Sequence, residues 1–134
     1  MRRNLFAASA CLVVFCVCDF MWLCVLARDF YGSRLGALLL SEPNWVPAAL
    51  FYPLYVGGLC VFCVTPALAA RSGRTALGLG AFFGLVAYAT YDLSNLATLN
   101  GWPVAVTLAD IAWGSFLSAV ATVAGYAAAA AVAR

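Results

Sequence analysis

Four long apolar runs dominate the chain and leave few folds open to it. They cover about Leu5–Ala27, Trp45–Leu68, Ala76–Leu99 and Val104–Val132. Each is long enough for the roughly 20 residues that carry an α-helix across a hydrocarbon core of about 30 Å. In lipid, backbone polar groups must be bonded within the segment itself, so each run is expected to be a transmembrane helix. Composition closes the soluble alternative. The 134 residues are 66% hydrophobic and 9% charged, with mean hydropathy +1.01, where an ordinary soluble domain carries about 25% charged residues. The expected fold is all-α: an integral membrane four-transmembrane-helix bundle forming one domain over 1–134, with helices at about 5–27, 45–68, 76–99 and 104–132.

Turn chemistry separates the runs. Arg28–Asn44 holds Gly32, Gly36 and Pro43; Arg71-Ser72-Gly73-Arg74 is a short polar turn; Asn100-Gly101-Trp102-Pro103 is a tight one, with Pro103 suited to the first turn of the next helix. All seven basic residues are arginines. Arg2, Arg3, Arg71, Arg74 and Arg134 fall on one side and Arg28 and Arg34 on the other, so both termini are expected in the cytoplasm. Trp45 and Trp102 then sit at the outer interface. The net charge of +2 is too small to point to a nucleic-acid partner, and the absence of histidine removes the commonest metal ligand.

The six cysteines (Cys11, Cys16, Cys18, Cys24, Cys60 and Cys63) all lie in apolar runs and read as packing residues. Cys60-x-x-Cys63 has redox or metal spacing but no polar neighbours. Ala8-Ser9-Ala10-Cys11 resembles a lipoprotein cleavage site, yet the apolar stretch before it is too short for a signal sequence, so the N-terminus is read as a retained helix.

The informative residues are three acids inside the spans: Asp19, Asp92 and Asp110. A carboxyl at a helix centre costs about 2.5–3.5 kcal/mol on insertion scales, which makes each a functional-site candidate. At 1.5 Å rise per residue all three reach one level, roughly 10–12 Å below the outer ends of their helices. Tyr52 and Tyr55 of the second span lie at a similar depth. Spacing agrees: Gly80, Gly84, Tyr88, Asp92 and Asn95 share one helical face with Tyr91 beside it, and Thr107, Asp110, Gly114, Ser118, Thr122 and Gly125 form a small, polar stripe. Asp19-x-x-Trp22 recurs as Asp110-x-x-Trp113. The expectation is one shared site in the outer half of the bilayer, with ligand-binding candidates Asp19, Trp22, Tyr52, Tyr55, Tyr88, Tyr91, Asp92, Asn95, Asp110 and Trp113. Arg28 and Arg34 are the candidate charge partners. The bland alternative is a hydrogen-bond network that only holds helices together.

Several stretches also resemble a known family: Asp19-x-x-Trp22 followed by Arg28-Asp29-Phe30-Tyr31, Pro43-Asn44-Trp45, the run Tyr88 to Leu99, Gly101-Trp102-Pro103, and Asp110-Ile-Ala-Trp113-Gly114. Together they resemble a bacterial family of small predicted membrane proteins classed as a domain of unknown function (DUF2177). The resemblance spans nearly the whole chain and implies a multi-pass protein of the bacterial inner membrane. It implies no activity, and no cofactor.

Three functions compete. The acidic, aromatic site suits an enzyme or accessory subunit acting on a lipid or small amphipathic molecule, with Asp92 and Asp110 as acid and base and Asn95 and Tyr91 orienting substrate. Membrane acids with aromatic walls also suit a small proton- or cation-coupled transporter, built as a homo-oligomer. Small size and the alanine run Ala127–Ala131 suit a structural subunit of a larger membrane complex. Carboxylates with Asn95 offer a hard cation some ligands, but no metal is assigned.

Overall fold

The structure is a computed structural model and describes residues 1–133; Arg134, counted above among the cytoplasmic arginines, lies outside the described residues. Among these the chain is helical, with no strand. Four helices are long and apolar enough to cross a membrane: α1 (Arg2–Leu26), α3 (Trp45–Ala69), α4 (Gly73–Thr98) and α5 (Val104–Val132). The expected boundaries at 5, 76 and 99 move by only a few residues. A short helix the sequence reading treated as loop, α2 (Arg28–Leu35), follows the first span.

Local chemistry sets the ends. The Asn44 side chain accepts from the Val46 N–H and starts α3, and the Ser72 hydroxyl accepts from the Thr75 N–H and starts α4, each at 3.2 Å. Pro103 stands just outside α5 rather than in its first turn, and its carbonyl accepts from Thr107 N. Gly36 and Gly101 take the positive φ values 47° and 75° that their turns require. Two spans contain a wider π-turn. In α1 it covers Trp22–Leu26, and Ala27 N reaches back five residues to Trp22 O at 2.7 Å. In α3 it covers Cys60–Val64, just before Pro66, which has no N–H to continue the regular ladder.

Lipid chains are as apolar as leucine, so hydrophobicity alone does not bring membrane helices together; close packing of small residues does. α5 is the central helix, running along α4 on one side and α1 on the other. Its contact with α4 is built on glycine. A methyl at Gly80 would meet Thr122 and the Ser118 carbonyl, one at Gly84 the Gly114 carbonyl, and one at Gly114 the Tyr88 ring. A methyl at Gly125 would meet the Ala7 carbonyl of α1 at 3.0 Å, a looser approach. The main core joins Cys11 and Phe15 of α1, Val56, Leu59 and Cys63 of α3, and Leu117 and Ala121 of α5. Val13, Val17, Phe20, Leu50, Leu54, Phe82 and Leu108 point outward, as a lipid-facing belt requires.

α3 joins this bundle asymmetrically. Its second half, from Cys60, packs on α1, α4 and α5, whereas Trp45–Leu59 follows α1 and meets α4 mainly at the Phe83 ring, which lies against Gly58 and Tyr55. The gap this leaves is on the same end of the bundle as α2 and the α4–α5 turn.

Candidate functional site

The three intramembrane carboxyls converge at that end. Asp19 is buried, and its oxygens accept from the Tyr52 hydroxyl of α3 at 2.7 Å and from the Trp113 indole N–H of α5 at 3.4 Å. Asp110 accepts from the Tyr31 hydroxyl at 2.6 Å, and Tyr31 in turn accepts from the Trp22 indole at 3.1 Å. Trp22 and Trp113 stack with centroids 4.5 Å apart and planes within 6° of parallel, joining the Asp19 and Asp110 groups through their rings. The Asp-x-x-Trp repeat is thus one symmetric-looking device, each acid one turn from a tryptophan that faces the other.

Asp92 is different. It is 0% exposed, and neither carboxyl oxygen has a hydrogen-bond partner. The ionisable group acting on it is Asp110. A buried polar group without a partner is expensive, an ionised one most of all.

Tyr55 shares a 2.8 Å hydrogen bond with Ser118 and stands edge-on to Tyr88, with centroids 6.1 Å apart. Tyr91 is exposed and edge-on to Trp102 at 5.9 Å, with Asn95 next to it one turn on. These rings frame a cavity of about 410 Å³ in the gap between α3 and α4, lined by Phe51, Tyr55, Ala87, Tyr88, Tyr91 and Asp110. Its walls are aromatic, its polar groups are the phenols of Tyr55, Tyr88 and Tyr91 and the Asp110 carboxyl, and it is partly open.

The structure therefore brings together Asp19, Trp22, Tyr52, Asp110 and Trp113 as one network, and Tyr55, Tyr88, Tyr91 and Asp110 as a cavity, with Asp92 behind Asp110. Arg28 and Arg34 are not brought to it. Both are exposed, and the Arg34 guanidinium lies over the Phe30 ring at 4.1 Å and donates to the Phe30 carbonyl. Phenols and indoles partner the carboxyls instead. Among the described residues no three of His, Cys, Asp and Glu converge closely enough to hold a metal ion.

Sequence reasoning passed over Tyr31, whose only signal was its place beside Arg28-Asp29-Phe30. Burial, reinforced by its bond to Asp110, holds the Tyr31 phenol above its ordinary value of 10.0. Ser118 was read as part of a packing stripe rather than as a partner of Tyr55. Trp102, read as an interface residue, donates to Thr107 at 3.1 Å and covers the end of the network.

A family model described as Predicted membrane protein (DUF2177) matches residues 4–127. No curated protein and no solved structure matches the chain.

Proposed function

Because the chain belongs to this family of predicted membrane proteins, whose description states no activity, we propose its function from the site: it binds a lipid or small amphipathic molecule between α3 and α4 and serves as a lipid-related enzyme or accessory. One observation carries this reading. The cavity of about 410 Å³ is partly open and is lined from three membrane spans, with aromatic walls and a carboxyl at Asp110. A molecule with an apolar chain enters such a cavity from the bilayer and leaves its polar head at Asp110. Ligand pockets of roughly 300–1,000 Å³ are the usual size for this. With both termini cytoplasmic, as the arginine distribution favours, the opening faces the outer leaflet of a bacterial inner membrane.

The test is native mass spectrometry of the protein taken gently from its own membrane, wild type beside Ala87→Phe. Ala87 lines the cavity, and the added ring fills it. A lipid or amphiphile retained by the wild type and lost from the variant is the expected result. The same adducts on both forms, or stoichiometric protein partners in place of a ligand, overturn the reading.

Asp92 supports a second reading, a small proton- or cation-coupled transporter, since an unpartnered carboxyl beside Asp110 is a place to carry a proton. Substrate-driven proton flux in proteoliposomes, absent in Asp92→Asn, distinguishes it from binding alone.

A further inference from the structure

We propose that the cavity selects amphiphiles with a cationic head, an alkylammonium in the broad sense, and that the ammonium sits between the aromatic walls against Asp110. The inference rests on the binding reading above and names its ligand class.

Charge is the first argument. Asp19, Asp92 and Asp110 all lie in this part of the bundle, and the partners of Asp19 and Asp110 are two phenols and an indole. Neither Arg28 nor Arg34 reaches them. A phosphate or carboxylate head in the cavity would face Asp110 with no basic side chain to receive it. A neutral head would leave the charge of the site as it is.

The second argument is the wall. Phe51, Tyr55, Tyr88 and Tyr91 surround the space in front of Asp110, and Tyr55 and Tyr88 stand at 87° to one another. Aromatic rings from two helices and the Asp110 carboxyl thus line one space. An ammonium ion is held by ring faces through their quadrupole, most strongly where water is excluded.

The third argument is Asp92, fully buried with both oxygens unpartnered. A buried carboxyl with no partner is stable as an ion only with a countercharge close by. A cation at Asp110 brings one to the pair, and the remaining unsatisfied group then has a reason to be there. The apolar wall formed by Phe51 and Ala87 favours an ion carried on a chain over a free one.

The experiment measures binding of four probes to the purified protein in a neutral maltoside detergent: dodecyltrimethylammonium, dodecyl phosphate, dodecanol and tetramethylammonium. The dodecylammonium probe is expected to bind at least about tenfold more tightly than the other three. In Asp110→Asn, which keeps an acceptor for Tyr31, its lead over dodecanol falls to within about twofold. Tyr91→Leu changes an exposed position, and it weakens the ammonium probe by about threefold or more while sparing dodecanol. Equal binding of the three dodecyl probes, all lost in Ala87→Phe, overturns the cationic selection and leaves the amphiphile reading standing. No binding by any probe overturns both. Tetramethylammonium binding as tightly as its dodecyl form overturns the amphiphile itself.

Discussion

The Tyr31 hydroxyl donates a 2.6 Å hydrogen bond to Asp110, 79 residues further along the chain. The bond ties α2, a helix outside the spans, to the carboxyl that lines the cavity. The π-turn at Trp22–Leu26 and the non-helical φ of −114° at Ala27 redirect the chain so that Tyr31 turns back over the bundle. Tyr31 thereby caps the network, with Ala27, Val106 and the rings of Trp22, Phe30 and Trp102 packed around it.

Tyr31→Phe removes one hydroxyl and leaves Asp110 and the Trp22 indole each without this partner. A loss of about 1–3 kcal/mol is expected, the usual consequence of stranding partly buried polar groups. The pH dependence has a definite sign. The folded-state phenol is held above its ordinary value of 10.0, so its contribution is fully present below about pH 10 and declines as pH rises beyond that. Thermal unfolding in detergent at pH 7 to 11 checks both. The gap between wild type and Tyr31→Phe should stay constant to about pH 10 and then narrow. A gap that widens in alkali contradicts the assignment.

Trp22 and Trp113 stack across the α1–α5 contact at 4.5 Å. Replacing either with leucine removes both a stacked face and an indole N–H. A double-mutant cycle should show coupling of about 0.5–1.5 kcal/mol. Additive effects in that cycle contradict energetic linkage between the two Asp-x-x-Trp units.

Glycine substitutions separate packing from conformation. Gly84→Ala and Gly114→Ala drive a methyl into the α4–α5 contact and should destabilise by about 1–3 kcal/mol. Gly57 and Gly78 have nothing within 4 Å of an added methyl, so alanine there should be neutral or slightly stabilising in a helix. Melting temperatures of the four variants in one detergent decide it. Equal effects at all four would place the cause in helix propensity rather than in the close approach.

Much of this arrangement was legible in the sequence, because the bilayer leaves a chain few choices. Length and hydropathy fixed the spans to within a few residues, with ends marked by Asn44, Ser72 and Gly101. Helix rise alone puts Asp19, Asp92 and Asp110 at one expected level. What periodicity could not supply was which faces meet. Tyr52 and Tyr55 are three residues apart on α3, yet one serves Asp19 and the other Ser118. Nor could it show that Phe51 and Tyr55 of α3 share a cavity with Ala87, Tyr88 and Tyr91 of α4. α2 was missed because an eight-residue stretch with Gly32 reads as loop when its tertiary anchors are only Tyr31, Phe30 and Leu35.

Asp92→Asn is the most informative single change for the energetics of the site. The Asp92 side chain is wholly enclosed and neither oxygen accepts from a phenol or indole, so replacing it with asparagine strands no such donor and removes an ionisable group beside Asp110. For most buried carboxyls removal of the acid is destabilising because a partner is stranded, by about 1–3 kcal/mol. Here the opposite is expected: unliganded Asp92→Asn should melt at the wild-type temperature or above it, since a neutral amide is less costly to bury than a carboxylate. In the presence of dodecyltrimethylammonium the order should reverse, with the wild type gaining more stability from the probe than the variant does, because only binding to the folded state shifts the melting point. Thermal melts of both proteins with and without the probe measure this directly. A variant that is less stable without ligand assigns Asp92 a structural bond. A probe that stabilises both proteins equally removes Asp92 from the site.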